Sequence, residues 1–378
     1  AAALGLFCGS LLVGCGGASS TTVEPEEPKE TPAEPAAKLA WYQQAATACP
    51  EGAKLEGKAP PDGTMVVCMD GEGKRHGRYV AWHKNGQKAE EAAFVHGQLE
   101  GEIRAWHEGG KPAQTGKFEN GAASGVFTQY HANGNKAFRG EYIAGKLEGK
   151  VESWHENGKP GEITVYRGGV RDGGSTSFHA NGRKAAEATF SAGKLSGSLR
   201  QYFQDGTVGE TSRYKNGVLH GEQKLFYPDG KPRQVGTFSD GKPVGVHTSY
   251  HPSGNKLSET PFKDGEIHGT VKQFYESGAL SLVGKYVAGK EHGVWKRYSE
   301  KKKLLGTLRF RKGTGKFIQW LDDGKKAFEG RLKDGKRHGE WIAYGKDGKK
   351  VSSETFEAGK VVARATYTGG QKQLQHTT

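Results

Sequence analysis

Glycine recurs every 24 residues over most of this chain, and this period limits the fold more than any other feature. The glycines that keep the period are Gly86, Gly110, Gly134, Gly158, Gly182, Gly206, Gly230, Gly254 and Gly278. Lys302 takes the next place, and Gly324 and Gly348 follow a two-residue deletion within 313–315. A period of this length predicts an array of one small structural unit.

Two rows of mainly aromatic residues keep the same period. The first row is Trp82, Trp106, Tyr130, Trp154, Phe178, Tyr202, Phe226, Tyr250, Phe274, Tyr298, Trp320 and Tyr344. The second row is Phe94, Phe118, Tyr142, Tyr166, Phe190, Tyr214, Phe238, Phe262, Tyr286, Phe310, Leu332 and Phe356. We therefore place twelve modules in residues 71–363.

Each module is typical of a β-hairpin. In residues 221–244, a strand precedes Pro228-Asp229-Gly230 and a second strand follows it. Because proline has no N–H to donate, Pro228 suits a loop better than a strand. We therefore predict a three-residue loop with Gly230 in the left-handed conformation.

The loop length predicts a register for each hairpin. Phe226 should lie across from Pro232, and Glu222 across from Gly236. Since side chains alternate along a strand, Phe226 and Phe238 should then share one face of the sheet.

The modules together predict an all-β fold, an open antiparallel hairpin array that forms a single twisted sheet of about 24 strands. Glycines two residues before the second row should leave room for rings from adjacent strands, as at Gly116, Gly140, Gly236, Gly284 and Gly330. The alternative is a six-bladed propeller with two modules per blade. We disfavour it because odd and even modules do not differ.

The phrases 149–158 (GKVESWHENG) and 190–197 (FSAGKLSG) resemble MORN repeats, in the variant common in bacterial proteins that include the YwqK-type antitoxin family. The resemblance covers about three quarters of the chain. It implies a long β-hairpin array used as a binding or scaffolding surface, in some cases with lipid contacts. The motif consists of structural glycines and aromatics, so it specifies architecture more than function.

The first 15 residues resemble a lipoprotein signal peptide that ends in the lipobox 12–15 (LVGC). Cys15 would carry the lipid, and the alternative is a plain secretory signal. Residues 16–38 are rich in Pro and Glu, and we interpret them as a disordered tether. Gly16 follows the cysteine in place of Asp, which resembles lipoproteins of the outer membrane.

Residues 39–70 depart from the period and are predicted to form an N-terminal cap with a short helix in 39–48. Cys49 and Cys68 are the cysteines left after the signal segment, and in an exported protein they suggest one disulfide. The alternatives are free thiols or a metal site, and the absence of nearby histidines disfavours zinc. Residues 364–378 are interpreted as a half module followed by a polar tail.

The formal net charge is +13, although the tether is acidic. Lysine often follows the turn glycine, as at Lys88, Lys111, Lys136, Lys159 and Lys184. These lysines are explained most simply as a solvated face that protects the sheet. The alternative is attraction to acidic lipid, polysaccharide or protein. Nucleic acid is not an expected partner of an exported chain.

Histidine stands next to the first row at His83, His107, His131, His155, His179 and His251. Successive modules lie two strands apart, about 9.6 Å, which is too far for one zinc ion to bind neighbouring histidines. This spacing disfavours a metal site. Phe203, Tyr227 and Tyr275 take the same place in other modules, so we predict packing or turn support, and the alternative is a collective response to pH. The best candidates for ligand contact are the first-row aromatics Trp82, Trp106, Tyr130 and Trp154, although such rows more often form the core.

The sequence has no phosphate-binding loop and no nucleophile elbow, and equal modules disfavour one catalytic site. We predict a non-catalytic, lipid-anchored protein that acts as an extended binding or scaffold surface at the bacterial envelope, without a cofactor. Its partners would be the membrane and an envelope protein, polysaccharide or acidic lipid. The alternatives are an antitoxin-like protein, a carbohydrate- or lipid-binding surface protein, and an enzyme acting on envelope polymers.

Overall fold

The computed structural model describes residues 40–44, 48–321 and 323–375. The predicted signal peptide, Cys15 and the tether 16–38 lie outside these residues. Within them, one antiparallel sheet of 30 strands accounts for nearly all of the regular structure.

The strands follow one another with short turns between them. The first ten are β1 (Lys54–Lys58), β2 (Met65–Met69), β3 (Arg75–Trp82), β4 (Lys88–Val95), β5 (Gln98–Leu99), β6 (Gly101–Trp106), β7 (Pro112–Glu119), β8 (Ala122–Tyr130), β9 (Lys136–Ile143) and β10 (Lys146–Trp154). The next ten are β11 (Pro160–Arg167), β12 (Val170–Phe178), β13 (Lys184–Ser191), β14 (Lys194–Tyr202), β15 (Val208–Lys215), β16 (Val218–Phe226), β17 (Pro232–Ser239), β18 (Lys242–Tyr250), β19 (Lys256–Lys263) and β20 (Glu266–Ile267). The last ten are β21 (Gly269–Phe274), β22 (Leu280–Val287), β23 (Lys290–Tyr298), β24 (Leu304–Arg311), β25 (Thr314–Trp320), β26 (Lys326–Lys333), β27 (Lys336–Tyr344), β28 (Lys350–Glu357), β29 (Lys360–Thr368) and β30 (Gln371–Gln375).

The sheet is an open meander, in which strands pair with their neighbours in the chain. β1 and β30 form its two ends. The predicted all-β open hairpin array is therefore confirmed, and the propeller alternative is wrong. One difference lies at the C-terminal end, where 371–375 was expected to be a polar tail. These residues pair with β29 and extend the sheet.

The turns after the first-row residues have the predicted three-residue loop. In the hairpin of β16 and β17, the Tyr227 N–H donates to the Lys231 carbonyl at 2.8 Å, and the Gly230 N–H donates to the Tyr227 carbonyl at 2.9 Å. Gly230 has φ +82°, a left-handed conformation that glycine adopts at little cost. Phe226 faces Pro232, as predicted.

The register beyond the turn differs from the prediction, because a bulge follows each first-row residue. Leu225 pairs with Gln234 while Phe226 pairs with Pro232, so Arg233 is an extra residue on β17. Gly236 therefore faces Gln223 rather than Glu222.

The extra residue reverses the side of the sheet that the next aromatic occupies. The prediction that Phe226 and Phe238 share a face is wrong: the two rows lie on opposite faces. We call these the first-row face and the second-row face.

The core of the array is the second-row face. Ile103 and Phe127, each three residues before a first-row residue, pack with second-row Phe94 and Phe118 in one cluster. Phe118 and Phe127 meet edge to face, with ring centroids 5.4 Å apart.

Glycines under these rings permit close packing, which confirms four of the five predicted positions. At Gly140 the neighbours are Leu147, Val151 and the ring of Phe138 on the same strand, so that prediction is wrong. A methyl group at Gly116 would lie 2.3 Å from Phe127 Cε1. Gly236, Gly284 and Gly330 lie in the same way under His247, Trp295 and Trp341.

The N-terminal segment adds a hairpin to the first module. β1 pairs with β2, which pairs with β3, and a disulfide joins Cys49 to Cys68, so the predicted disulfide is confirmed. In the segment expected to contain a short helix, the described residues form a 3-10 turn at Trp41–Gln43. Its Trp41 and Tyr42 pack on Val80 and Trp82 of the first-row face.

The deletion near 313 changes the sheet. Between β24 and β25 the pairs are Phe310 with Gly315 and Arg311 with Thr314, both next to the turn. Beyond them the two strands separate, and the Trp320 ring packs against Gly306, where a methyl group would lie 2.1 Å from Cζ2. We call this region the sheet break.

Packing of rings on glycine backbone predicts a position-specific effect of added methyl groups. We expect Gly116→Ala to lower the free energy of unfolding by about 1–3 kcal/mol, because the new methyl group overlaps the Phe127 ring. Urea unfolding and hydrogen exchange of β7 and β8 would measure the loss.

Gly174→Ala is the matched control. Gly174 is also a strand glycine, and nothing lies within 4 Å of the place of its added methyl group. It should change stability by less than about 1 kcal/mol, in either direction. Equal losses in the two variants would contradict the packing that we describe.

Candidate functional site

The histidines beside the first row connect successive turns. Nε2 of each one hydrogen bonds to the main-chain carbonyl of the first-row residue in the next module, at 2.8–3.1 Å. The hydroxyl groups of Tyr227 and Tyr275 donate to the equivalent carbonyls, at 2.7 and 2.8 Å. The predicted turn support is confirmed. These histidines are held by the backbone along one edge of the sheet.

Asn and Lys in the same turns strengthen this edge. Asn133 Nδ2 donates to the Glu156 carbonyl of the next turn at 2.6 Å, and Lys111 Nζ donates to the Asn133 carbonyl at 2.7 Å. Asn85, Asn157, Asn181 and Lys159 make equivalent bonds. We call this stack of hydrogen-bonded turns the turn ladder. It accounts structurally for the asparagine before the turn glycine and for the lysine directly after it at Lys111 and Lys159.

The first-row face carries lysine and glutamate beside its rings. Lys136 Nζ lies 5.8 Å from the centre of the Trp154 ring, and Lys88 Nζ lies 6.0 Å from that of Trp106. Such contacts let the apolar part of each lysine lie along the sheet while its ammonium group stays in solvent.

Hydrogen-bonding and charged side chains surround Glu329 on this face. Its carboxylate accepts a hydrogen bond from the Tyr344 hydroxyl and pairs with Lys326 Nζ at 3.0 Å and Lys316 Nζ at 3.2 Å. The Tyr344 hydrogen bond and then the two ammonium groups lower the pKa of Glu329 to about 2. Burial, together with the bond to Glu329, raises the pKa of Tyr344 to about 12.

The predicted ligand-contact aromatics do not share one environment. Trp82 is 9% exposed and lies edge to face with Tyr42, so the N-terminal segment covers it. Trp106, Tyr130 and Trp154 lie half-buried in a row on the first-row face. Ligand contact at these three residues stays a prediction.

One group of side chains has the composition of a metal site. Ligand atoms of Asp70, His76 and His96 lie within 4.8 Å of one another. His76 Nδ1 already accepts the His96 backbone N–H at 3.2 Å, and a backbone hydrogen bond from Lys74 lowers the pKa of Asp70.

A hydrogen bond that recurs in other modules explains the position of His76 without a metal. Acceptors in the place of His76 bond the backbone N–H 20 residues later, as in Glu100–Asn120, Glu148–Gly168, His220–Asp240, His268–Ala288 and Thr314–Asp334. Turn support therefore accounts for the position of His76.

The sheet break forms a cleft of about 410 Å³ on the second-row face. Its apolar lining includes Tyr286, Trp295, Leu308, Phe310, Phe317 and Trp320. Polar side chains at this cleft include Lys272, Gln273, Glu291, Arg297 and Gln319. Aromatic rings, amides and charged groups therefore meet here around a concave space.

The sequence prediction of equal modules missed this cleft. The signal was present in the two-residue deletion and in Trp320, which stands in the first row but packs with the core of the second-row face. The position of the Trp320 ring depends on how far β24 and β25 separate, and the 24-residue period gives no information on that distance.

In the part of the chain with described structure, there is no helix of the length and apolarity needed to cross a bilayer.

Comparison with known proteins agrees with this geometry. Residues 147–166, 219–240 and 243–264 match the MORN repeat variant. The chain thus carries MORN-variant repeats in these places, and hairpins of the same register continue on both sides of them. No curated protein matches the chain.

Similar solved structures are much longer than this chain. A crystal structure of TcdB2-TccC3-Cdc42 is 12% identical over 84% of this chain and 20% of that one, with a TM-score of 0.16. Alternansucrase in complex with isomaltononaose is 16% identical over 64% and 23%, with a TM-score of 0.15. The Photorhabdus luminescens Tc holotoxin pore is 12% identical over 85% and 19%, with a TM-score of 0.15. The chain spans about a fifth of the length of these chains.

The environment of Glu329 predicts a pH-dependent contribution to stability. Since its folded pKa is about 2 and its ordinary value is 4.5, its contribution is present above pH 4.5 and is lost as the pH falls towards 2. At pH 7, Glu329→Gln should lower the free energy of unfolding by about 1–2 kcal/mol. Urea unfolding between pH 7 and pH 3 should show this difference shrinking.

Glu102→Gln is the matched control, because Glu102 pairs with Arg104 on a surface where its side chain is 70% exposed. It should change stability by less than about 0.5 kcal/mol at every pH. A difference between Glu329→Gln and the unmodified protein that stays constant down to pH 3 would exclude the ionised contacts as its cause.

Proposed function

We propose that this protein is a non-catalytic binding scaffold of the bacterial envelope, anchored by lipid at Cys15. The observation that supports it best is the single sheet with its turn ladder. Each turn from His83 to His179 bonds to the next, so several modules present similar groups along one edge. A partner can contact several modules at once on such a surface, and each weak contact adds to the whole.

The N-terminal sequence supports the anchoring part of the proposal. The lipobox 12–15 precedes a Pro- and Glu-rich segment, which suits an extended spacer between a membrane and a folded domain. Several acyl chains on one residue would anchor the protein durably, at about 0.8 kcal/mol for each buried CH₂. Gly16 after Cys15 favours the outer membrane.

The charge distribution supports an acidic or polar partner. The chain has a net charge of +13 while the tether is acidic, so the positive charge lies on the folded region. Such a surface attracts acidic lipid, polysaccharide or protein, and the attraction weakens as salt increases. The antitoxin-like alternative requires a toxic partner protein, and export disfavours a cytoplasmic one.

The anchoring proposal predicts the chemistry of the mature N-terminus. Mass spectrometry of the protein from envelope fractions should find a lipidated Cys15 as the first residue. Cys15→Ser should remove the lipid and move the mature domain to the soluble fraction. Cys8→Ser is the matched control within the signal segment, and it should leave lipid and location unchanged. An unmodified mature N-terminus at another residue would refute the anchor.

The partner can be sought in the same fractions. Crosslinking and pull-down should recover an envelope protein or polysaccharide. Rescue of cells from a toxic protein by co-expression would support the antitoxin alternative instead. Turnover of an envelope glycan that is lost on a single carboxylate substitution would refute the non-catalytic proposal.

A further inference from the structure

The sheet break is where the array departs from its own repeat. The shortened turn at Gly313 leaves β24 and β25 paired only beside the turn. Ile318 and Trp320 then join the cluster of Trp295, Leu308 and Phe310 on the second-row face. The gap between the two strands becomes the cleft of about 410 Å³.

Trp295 in this cleft has an unused hydrogen-bond donor. It is 7% exposed, and Nε1 has no hydrogen-bond partner among the described residues. Equivalent rings in other modules do bond: Trp341 Nε1 donates to the Arg331 carbonyl at 3.2 Å, and His247 Nε2 lies 2.9 Å from the Thr237 carbonyl. A buried donor without an acceptor is unfavourable, so a ligand oxygen that reaches it would be favoured.

Arg297 repeats this feature beside Trp295. It lines the same cleft, and its Nε is buried without a partner in the described part of the chain. Its guanidinium lies 5.7 Å from the centre of the Tyr275 ring. Two unused donors therefore lie in a cleft whose walls are otherwise mainly aromatic, and an acyl chain would leave both of them unsatisfied.

A second cleft of about 440 Å³ adjoins the first. The two clefts share Glu291, Phe317 and Gln319, and the second also contains Arg337 and Trp341. The Phe317 and Trp341 rings lie 5.2 Å apart at an angle of 31°. Together the clefts form a groove with space for consecutive units of a chain-like ligand, with rings along its length.

We propose that this groove binds an oligosaccharide of neutral hexose units. A pyranose ring has C–H faces that stack on indole and phenyl rings, and oxygens that accept hydrogen bonds from Trp295 Nε1 and Arg297 Nε. Gln273, Gln319 and Glu291 supply further partners for hydroxyl groups. The lining of the groove contains the basic residues Lys272, Arg297 and Arg337 and the acidic residues Glu291 and Glu354. Because charges of both signs are present, the groove favours a neutral ligand.

Binding to defined probes tests this proposal. The full chain is titrated with hexasaccharides of β-1,4-glucose, α-1,4-glucose, α-1,6-glucose and N-acetylglucosamine, followed by calorimetry and tryptophan fluorescence. At least one probe should bind, and its hexasaccharide should bind more tightly than its disaccharide, because two clefts adjoin. Trp320→Ala should weaken that binding about tenfold or more, through the loss of one stacking wall.

Two further variants separate ligand contact from stability. Trp295→Phe keeps a ring over Gly284 but removes the N–H, so it should weaken binding several-fold while the unfolding midpoint stays close to that of the unmodified protein. Phe178→Ala, in the first row on the opposite face, should leave affinity unchanged.

The proposal is overturned if no probe binds at about 10 mM, where millimolar affinity would be seen. Equal weakening by Phe178→Ala, or binding only of acidic peptides, also overturns it. This inference identifies the partner class left open in the proposed function. Saccharide binding is measured on protein in solution, so a failure to bind would not affect the test of lipidation at Cys15. Likewise, the absence of a lipid anchor would not affect saccharide binding.

Discussion

The structure depends on rings that lie flat on the glycine backbone of a neighbouring strand. Phe127 over Gly116 and Trp341 over Gly330 show the contact in distant modules, and a methyl group on either glycine would overlap the ring. Only glycine allows this approach, because any side chain would occupy the space of the ring. A sheet with little apolar surface thus obtains a core from one aromatic contact repeated along its length.

The contact acts between neighbours, and so does the turn ladder. Each His Nε2 reaches only the next module, as His131 does with the Trp154 carbonyl. Stability is then a sum of local terms, which lets a long array tolerate one irregular module. The sheet break at Gly313 is such an exception, since modules on both sides keep their register. The regular modules give the sheet its length, and the irregular module forms the cleft.

Much of the fold could be predicted from sequence, and the site could not. The period, the three-residue loop at Pro228 and the Cys49–Cys68 disulfide all follow from local chemistry. The faces of the aromatic rows were predicted wrongly because one bulge residue, Arg233, reverses the alternation. No residue type marks such a bulge in the sequence. The cleft escaped prediction because Trp320 keeps the phase of its row while its ring moves to the other face.

The sequence by itself determined the repeat, the hairpin and the open array, because spacing, turn glycines and proline act within a few residues of one another. Only the tertiary structure decided which rows share a face, where the core lies and how Trp320 meets Gly306. These depend on register between strands and on their separation at a deletion. Both are properties of two segments together, and neither segment carries them alone.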